Sequence, residues 1–242
     1  MVRAVIFDLD NTLYSYDPLD KEAGKRVREY ACKEIGITQE QYEEAYHYGR
    51  NETKSQLHDV GASHNRMLYF QKALEYLGVN PIRCALKMYE IYWGTFLEKM
   101  VLYEGARKFI DCLHEHGIKV MVCTDLTAHI QHRKLEALGL AKDICCLVTS
   151  EEAGREKPSP EIFALCLKKL GLPPEEVCCI GDSLAKDVEG AKAAGMQAIH
   201  FHPEKPSGEQ YEAALQVILR GRRQELNYQS LYHVIMKSRI FR

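Results

Sequence analysis

The chain has 242 residues, 46% of them hydrophobic, and 32 Lys plus Arg against 34 Asp plus Glu, a formal net charge of −2. That supplies a core for one large or two modest domains. The balance predicts no nucleic-acid partner, because phosphate backbones are bound by an excess of cationic side chains. No apolar run approaches the roughly 18 residues of a membrane span, so no membrane partner is expected. A strand beginning at residue 2 leaves no room for a signal peptide. The nine Cys include no Cys-x-x-Cys pair. Cys123, Cys145, Cys146, Cys178 and Cys179 fall in predicted strands and read as buried reduced thiols, which fits a cytoplasmic location. His114 and His116, and His129 and His132, read as surface helix residues, since no further metal-ligand set accompanies them.

The apolar run from Val2 to Phe7 predicts a buried strand, which ends in Asp8 and Asp10. On a strand, positions i and i+2 point the same way, so both carboxylates are expected in one pocket. Such like charges need a shared proton or a metal ion. Residues 14 to about 100 show no strand pattern and read as an all-helical insertion. Met67, Phe70, Leu74 and Leu77 make an amphipathic stripe closed by Gly78, and Tyr89, Tyr92, Trp93 and Phe96 repeat the rhythm.

From about residue 101, helices and strands alternate. Helices are expected over residues 106–116, 128–138 and 185–194, and strands over 118–123, 145–149, 177–180 and 197–201. Ser159-Pro160-Glu161 opens a further helix, with Ser as N-cap, Pro at the first position and an acid in the first turn. This alternation implies right-handed βαβ units and a parallel sheet. Residues 203–227 read as turn-rich and then helical. The basic stretch from Arg220 to Arg242 reads as a terminal helix packing Leu231, Ile235 and Phe241 on the core.

In a parallel sheet the polar strand ends share one edge. Asp8 and Asp10, Thr124 and Asp125, the loop with Lys157, and Asp182 with Asp187 would therefore converge. Acids with hydroxyl and backbone groups suit Mg²⁺, and a Lys and a Thr suit an anion. Together they describe a phosphoryl group held between a cation, an ammonium and N–H donors.

These segments resemble the four motifs of the haloacid dehalogenase-like hydrolase superfamily: Asp8-Leu9-Asp10-Asn11-Thr12-Leu13; Val120 to Thr124; Lys157-Pro158-Ser159-Pro160-Glu161-Ile162-Phe163; and Gly181-Asp182-Ser183 followed by Asp187 and Gly190 to Gly195. The resemblance implies a Rossmann-like α/β core, a parallel sheet flanked by helices, from residues 1–13 and 101–242. A helical cap domain would occupy residues 14–100. Two positions depart from the pattern: Asp125 stands where Asn is common, and Glu104-Gly105 where Pro-Gly is frequent. Both bear on substrate preference.

The resemblance also implies roles. Asp8 would be the nucleophile that forms an aspartyl-phosphate, and Asp10 the general acid and then base. Mg²⁺ would bind Asp8, Asp182 and the Asp10 main-chain oxygen. Thr124, Lys157 and the N–H groups of Asn11 and Asp125 would hold the phosphoryl oxygens. Thr12 would brace the loop, Ser183 belongs to the fourth motif, and Asp187 would hold metal-bound water or orient Lys157. The expected function is a Mg²⁺-dependent phosphatase of a small phosphorylated metabolite. A phosphosugar mutase and a catalytically idle binding module are the alternatives, while Asp10 argues against dehalogenation. Cap residues Tyr14, Tyr16, Tyr46, Tyr48, Arg50 and Trp93 are candidates for substrate choice, and Arg50 for a second anionic group.

Overall fold

In a computed structural model, which describes residues 1–205 and 207–220, five parallel strands form one sheet in the order β3-β2-β1-β4-β5. They are β1 (Ala4–Phe7), β2 (Lys119–Thr124), β3 (Cys146–Thr149), β4 (Val177–Gly181) and β5 (Gln197–His200). The central strand β1 is paired on both sides, Phe7 lying opposite Val122 on β2 and Ile180 on β4. Its continuous apolar run is what a strand buried on both faces requires. Alternation divides it: Val5 and Phe7 enter one core cluster, Ala4 and Ile6 the other. The chain leaves β1 toward β2 and β3, then returns to the other side for β4 and β5. The crevice beyond the carboxyl ends of β1 and β4 is therefore the topological switch point, where open α/β sheets bind ligands.

Between β1 and β2 lie α1 (Asp17–Ile35), α2 (Gln39–Gln56), α3 (Arg66–Tyr76), α4 (Ala85–Glu98) and α5 (Ala106–Glu115). The first four make the helical insertion. A capping box starts α2: the Gln41 N–H donates to Thr38 Oγ1 at 3.2 Å, and the Thr38 N–H to Gln41 Oε1 at 2.9 Å. Gly49 lets α2 and α3 meet, since a Cβ there would stand 2.3 Å from the Tyr69 carbonyl oxygen. Tyr92, Trp93 and Phe96 are buried on α4, as the spacing predicts. The insertion also closes on the core: the Glu156 N–H donates to the Asp59 carbonyl at 2.9 Å, and Ser63 Oγ to Glu156 Oε1 at 2.8 Å.

After β2 come α6 (Ala128–Ala137), α7 (Ser150–Ala153) and α8 (Pro160–Leu170). Several expectations are corrected. The first strand begins at Ala4 and ends at Phe7, so Asp8 and Asp10 lie on the loop beyond it. Ser159 makes no side-chain cap, because its hydroxyl donates to the Glu161 carboxylate instead. The helix expected over 185–194 is present, as a π-helix, Leu184–Glu189, running into α9 (Gly190–Ala193). Cys145 is exposed and precedes β3, and Cys146 is half-buried on that edge strand; Cys123, Cys178 and Cys179 are buried as expected. Residues 207–220 are helical. The expectation for Leu231, Ile235 and Phe241 lies outside the described residues.

Candidate active site

All the strand-end residues named from the sequence meet at the switch point. A cavity of about 450 Å³ is lined by Asp8, Asp10 and Asn11 from the β1 loop, Thr124 and Asp125 from the end of β2, Lys157, and Asp182, Ser183 and Asp187 after β4. Thr12 is buried beneath it. Asn11 sits at φ 58°, a left-handed conformation that Asn tolerates through its short polar side chain. Its Oδ1 accepts the Tyr16 N–H at 2.8 Å, which closes the loop.

Lys157 is the hub. Its Nζ donates to Asp8 Oδ1 at 2.6 Å, to Asp187 Oδ1 at 2.6 Å and to the Cys123 carbonyl at 3.2 Å. Burial alone would lower the ammonium's pKa, but the Asp187 and Asp8 charges hold it well above the ordinary value. Asp8 is pushed well above the carboxylate range by burial, against the opposing charge of Lys157. Asp187 also accepts the Ser183 N–H at 3.0 Å on its other oxygen. Gly181 makes this approach possible, since a Cβ there would lie 2.3 Å from Asp187 Cγ. Thr12 Oγ1 accepts the Asp182 N–H at 3.1 Å and lies 3.3 Å from Asp8 Oδ2, bracing β1 against β4.

Carboxylate oxygens of Asp8, Asp182 and Asp187 lie within 4.8 Å of one another. Such a hard-oxygen set suits Mg²⁺. Both Asp187 oxygens accept hydrogen bonds, from Lys157 and Ser183, and Asp8 likewise accepts Lys157 on one oxygen and faces Thr12 Oγ1 at 3.3 Å on the other, so a cation would share these oxygens with the donors already there. Burial, then the charge of Asp187, pushes the Asp182 carboxyl up to about 6.

The Asp10 carboxylate turns toward two residues that sequence reasoning missed or left in the cap. Lys134 Nζ donates to both its oxygens, at 2.7 and 2.8 Å, and the Tyr14 hydroxyl donates at 2.5 Å. Lys134 is fully buried, with the rings of Tyr14, Tyr16, Trp93 and Phe96 5.4–5.8 Å from its Nζ. Its signal was a cation on an apolar stripe: Lys134 lies four residues from both Ile130 on α6 and Leu138 at its C-cap.

Thr124 Oγ1 accepts Gln131 Nε2 at 2.9 Å. Asp125 accepts the Lys157 N–H at 3.0 Å and Lys186 Nζ at 2.8 Å. Leu126 follows at φ 112°, a strained conformation for a branched side chain, and such strain concentrates at functional sites.

From the insertion, Tyr16, Tyr46, Arg50, Lys54, His64, Arg66 and Tyr69 line the same cavity. Of the cap candidates, Tyr16, Tyr46 and Arg50 reach it. Trp93 is core, and Tyr48 is surface, its ring stacked on Tyr76 at 4.6 Å.

The family profile of haloacid dehalogenase-like hydrolases matches residues 2–195. The chain is 40% identical over 210 residues to a ribulose-1,5-bisphosphate 5-phosphatase of Halopiger xanaduensis, covering 86% of this chain and 87% of that one. It is 32% identical over 206 residues to a glyceraldehyde 3-phosphate phosphatase of Methanopyrus kandleri, covering 85% and 86%. The crystal structure of a phosphatase of the same family from Thermococcus onnurineus superposes with a TM-score of 0.63 at 25% identity, covering 83% and 86%.

Proposed function

From the premise that this chain belongs to the haloacid dehalogenase-like hydrolases, we propose that it is a Mg²⁺-dependent phosphatase of small sugar phosphates acting through an aspartyl-phosphate. The observation that carries the reading is the arrangement of Asp8, Lys157, Asp182 and Asp187 at the switch point. The phosphatase names of its relatives support it.

An Asp8 carboxylate oxygen attacks phosphorus, and the bond from phosphorus to the substrate oxygen breaks. Asp10 gives its proton to the leaving alcohol. Water then attacks the aspartyl-phosphate, its proton passes to Asp10, and phosphate leaves. Lys157, Thr124 and the N–H groups of Asn11 and Asp125 hold the phosphoryl oxygens. Thr12 braces the loop, and Asp187 orients Lys157. Asp8, Asp182 and the Asp10 main-chain oxygen would hold the cation. Mg²⁺ there would supply charge neutralisation that lets one anion attack another. The helical insertion acts as a cap that excludes water. Nine free thiols support a cytoplasmic location.

The test is phosphate release across a panel of phosphorylated metabolites, with and without Mg²⁺, from wild type and Asp8→Asn. Release that needs Mg²⁺ and vanishes in the variant is expected. Retained turnover in a folded Asp8→Asn enzyme refutes the nucleophile, and full activity after metal stripping refutes the cation's role.

A further inference from the structure

The cavity has two poles of different character. The sheet edge is anionic and holds the groups described above. The opposite wall belongs to α2, where Tyr46, Arg50 and Lys54 recur every fourth residue and all line the cavity. Side chains four apart on a helix share a face, and like charges at that spacing are unfavourable. A helix with Glu40, Glu43, Glu44 and Glu52 has acids to spare, yet three of these are engaged elsewhere. Glu43 pairs with Arg28 at 2.6 Å, Glu44 accepts the Tyr76 hydroxyl at 2.6 Å, and Glu52 accepts Gln56 at 2.5 Å.

The other cations of the cavity are matched. Lys157 lies between Asp8 and Asp187. Lys186 pairs with Asp125 and Glu156 at 2.8 and 3.1 Å. His64 pairs with Glu156 at 3.0 Å, and Arg66 with Asp20 at 3.2 Å. Among the described residues, no carboxylate lies within 4.0 Å of Arg50 or Lys54. Burial, then the charges of Arg50, Arg66 and Lys186, lower the Lys54 pKa against the opposing charge of Glu156. Arg66, buried on the same cavity, has an Nε without a hydrogen-bond partner.

We infer that Arg50 and Lys54 form a second anion subsite that holds a phosphate dianion at the far end of the substrate, which makes the preferred substrate a sugar bisphosphate. Arg50 and Lys54 together carry the charge of one phosphate dianion, and the acids that line the insertion side of the cavity, Asp17 and Asp20, lie on α1 rather than beside them on α2. Three tyrosines, Tyr16, Tyr46 and Tyr69, also line the cavity and offer hydroxyl and ring surface to the sugar between the poles. The inference rests on the phosphatase reading of the same cavity.

The experiment measures kcat and KM of wild type on a five-carbon sugar bisphosphate, the matching monophosphate, a phosphorylated sugar acid and p-nitrophenyl phosphate. Arg50→Gln, Lys54→Gln and the double variant follow, each checked by thermal melting. A preference in kcat/KM of at least about a hundredfold for the bisphosphate over the monophosphate is expected. Charge-assisted hydrogen bonds of this kind set a loss of about ten- to hundredfold in that preference for each substitution, carried by KM. In the double variant the two substrates become equivalent.

Equal kcat/KM for bisphosphate and monophosphate in wild type overturns the subsite. So does a bisphosphate preference that survives the double substitution. A stronger preference for the sugar acid overturns the dianion in favour of a carboxylate. If wild type turns over none of the four compounds, the phosphatase reading fails. Calorimetric titration of Asp8→Asn with the bisphosphate then decides the subsite alone. Binding weakened at least tenfold by the double substitution upholds it; no binding, or unchanged binding, overturns it.

Discussion

Replacing Lys134 with methionine separates what the Lys134–Asp10 pair does for the fold from what it does for chemistry. The ammonium is wholly buried, while the Asp10 side chain is 31% exposed. At an effective dielectric of about 20, charges roughly 3 Å apart attract by about 5 kcal/mol. Removing the ammonium from water costs several kcal/mol, and the lowered Lys134 pKa shows that burial outweighs the attraction of Asp10. The fold therefore gains little from this charge. Methionine keeps the length and meets the rings of Tyr14, Tyr16, Trp93 and Phe96 through a polarisable thioether. The expected stability change is at most about 2 kcal/mol. Catalysis should suffer more, because Lys134 grips both Asp10 oxygens and only the Tyr14 hydroxyl remains to aim the carboxylate. General acid–base catalysis contributes about 10²–10⁴ in rate, so a misaimed Asp10 forfeits roughly 10–10². The loss should appear with an alkyl phosphate, whose leaving group needs a proton, and much less with p-nitrophenyl phosphate. Parallel kcat/KM measurements on the two esters, which read the phosphorylation step before the hydrolysis they share, test this alongside a melting curve. A folded Lys134→Met enzyme whose alkyl and aryl rates fall equally, or not at all, refutes the reasoning.

Three further outcomes follow from the same geometry. Asp182 titrates at about 6, so a proton competes with the cation below that pH. The Mg²⁺ needed for half-maximal activity should rise up to about tenfold per unit as pH falls from 6 to 5, and a flat dependence would remove Asp182 from the ligand set. Gly181→Ala forces a Cβ to within 2.3 Å of Asp187 Cγ. Overpacking of this kind costs about 1–3 kcal/mol, and kcat should fall more than tenfold as Lys157 loses its partner; an unchanged kcat would show that Asp187 does not set the ammonium's position. Glu156 is the clasp between insertion and core. Burial would raise its carboxyl, but the His64 bond and charge, Ser63 and Lys186 bring it from 4.5 to about 2. Because the folded value lies below the unfolded one, its stabilisation is present above about pH 4.5 and is lost as pH falls through 2. Discounted for screening, the loss is about 1–2 kcal/mol, read as a smaller acid-induced drop in melting temperature for Glu156→Gln than for wild type.

The sheet-edge half of the site was legible because each contributing motif is local. A strand ending in a polar residue projects that residue at the carboxyl edge of a parallel sheet, and the sheet then gathers the four ends. Even the mistaken premise that Asp8 and Asp10 lie on the strand left both carboxylates on the cavity, because the loop after Phe7 stays close to β4: the Asp8 N–H donates to the Ile180 carbonyl at 2.9 Å. The insertion was harder to read. Tyr46 on α2 and Trp93 on α4 carry the same amphipathic signature, yet one lines the cavity and the other is core. Periodicity tells which residues share a face, but not whether that face meets protein or a ligand.

Asp125 shows how a departure from a family pattern becomes intelligible only in three dimensions. An amide at that position could accept the Lys157 N–H equally well, so the carboxylate is not needed for that bond. Its second oxygen instead accepts Lys186 Nζ, which also reaches Glu156 at 3.1 Å. Glu156 in turn holds Ser63 and His64 of the insertion. The extra negative charge therefore joins a chain of ion pairs from the loop after β2 to the residues that close the insertion over it. Lys186 thus sits between two carboxylates, Asp125 and Glu156, and an amide at position 125 would leave it only one. The same matching of every other cation in the cavity is what isolates Arg50 and Lys54, and it turns an unremarkable pair of helix charges into a site with a ligand of definite charge.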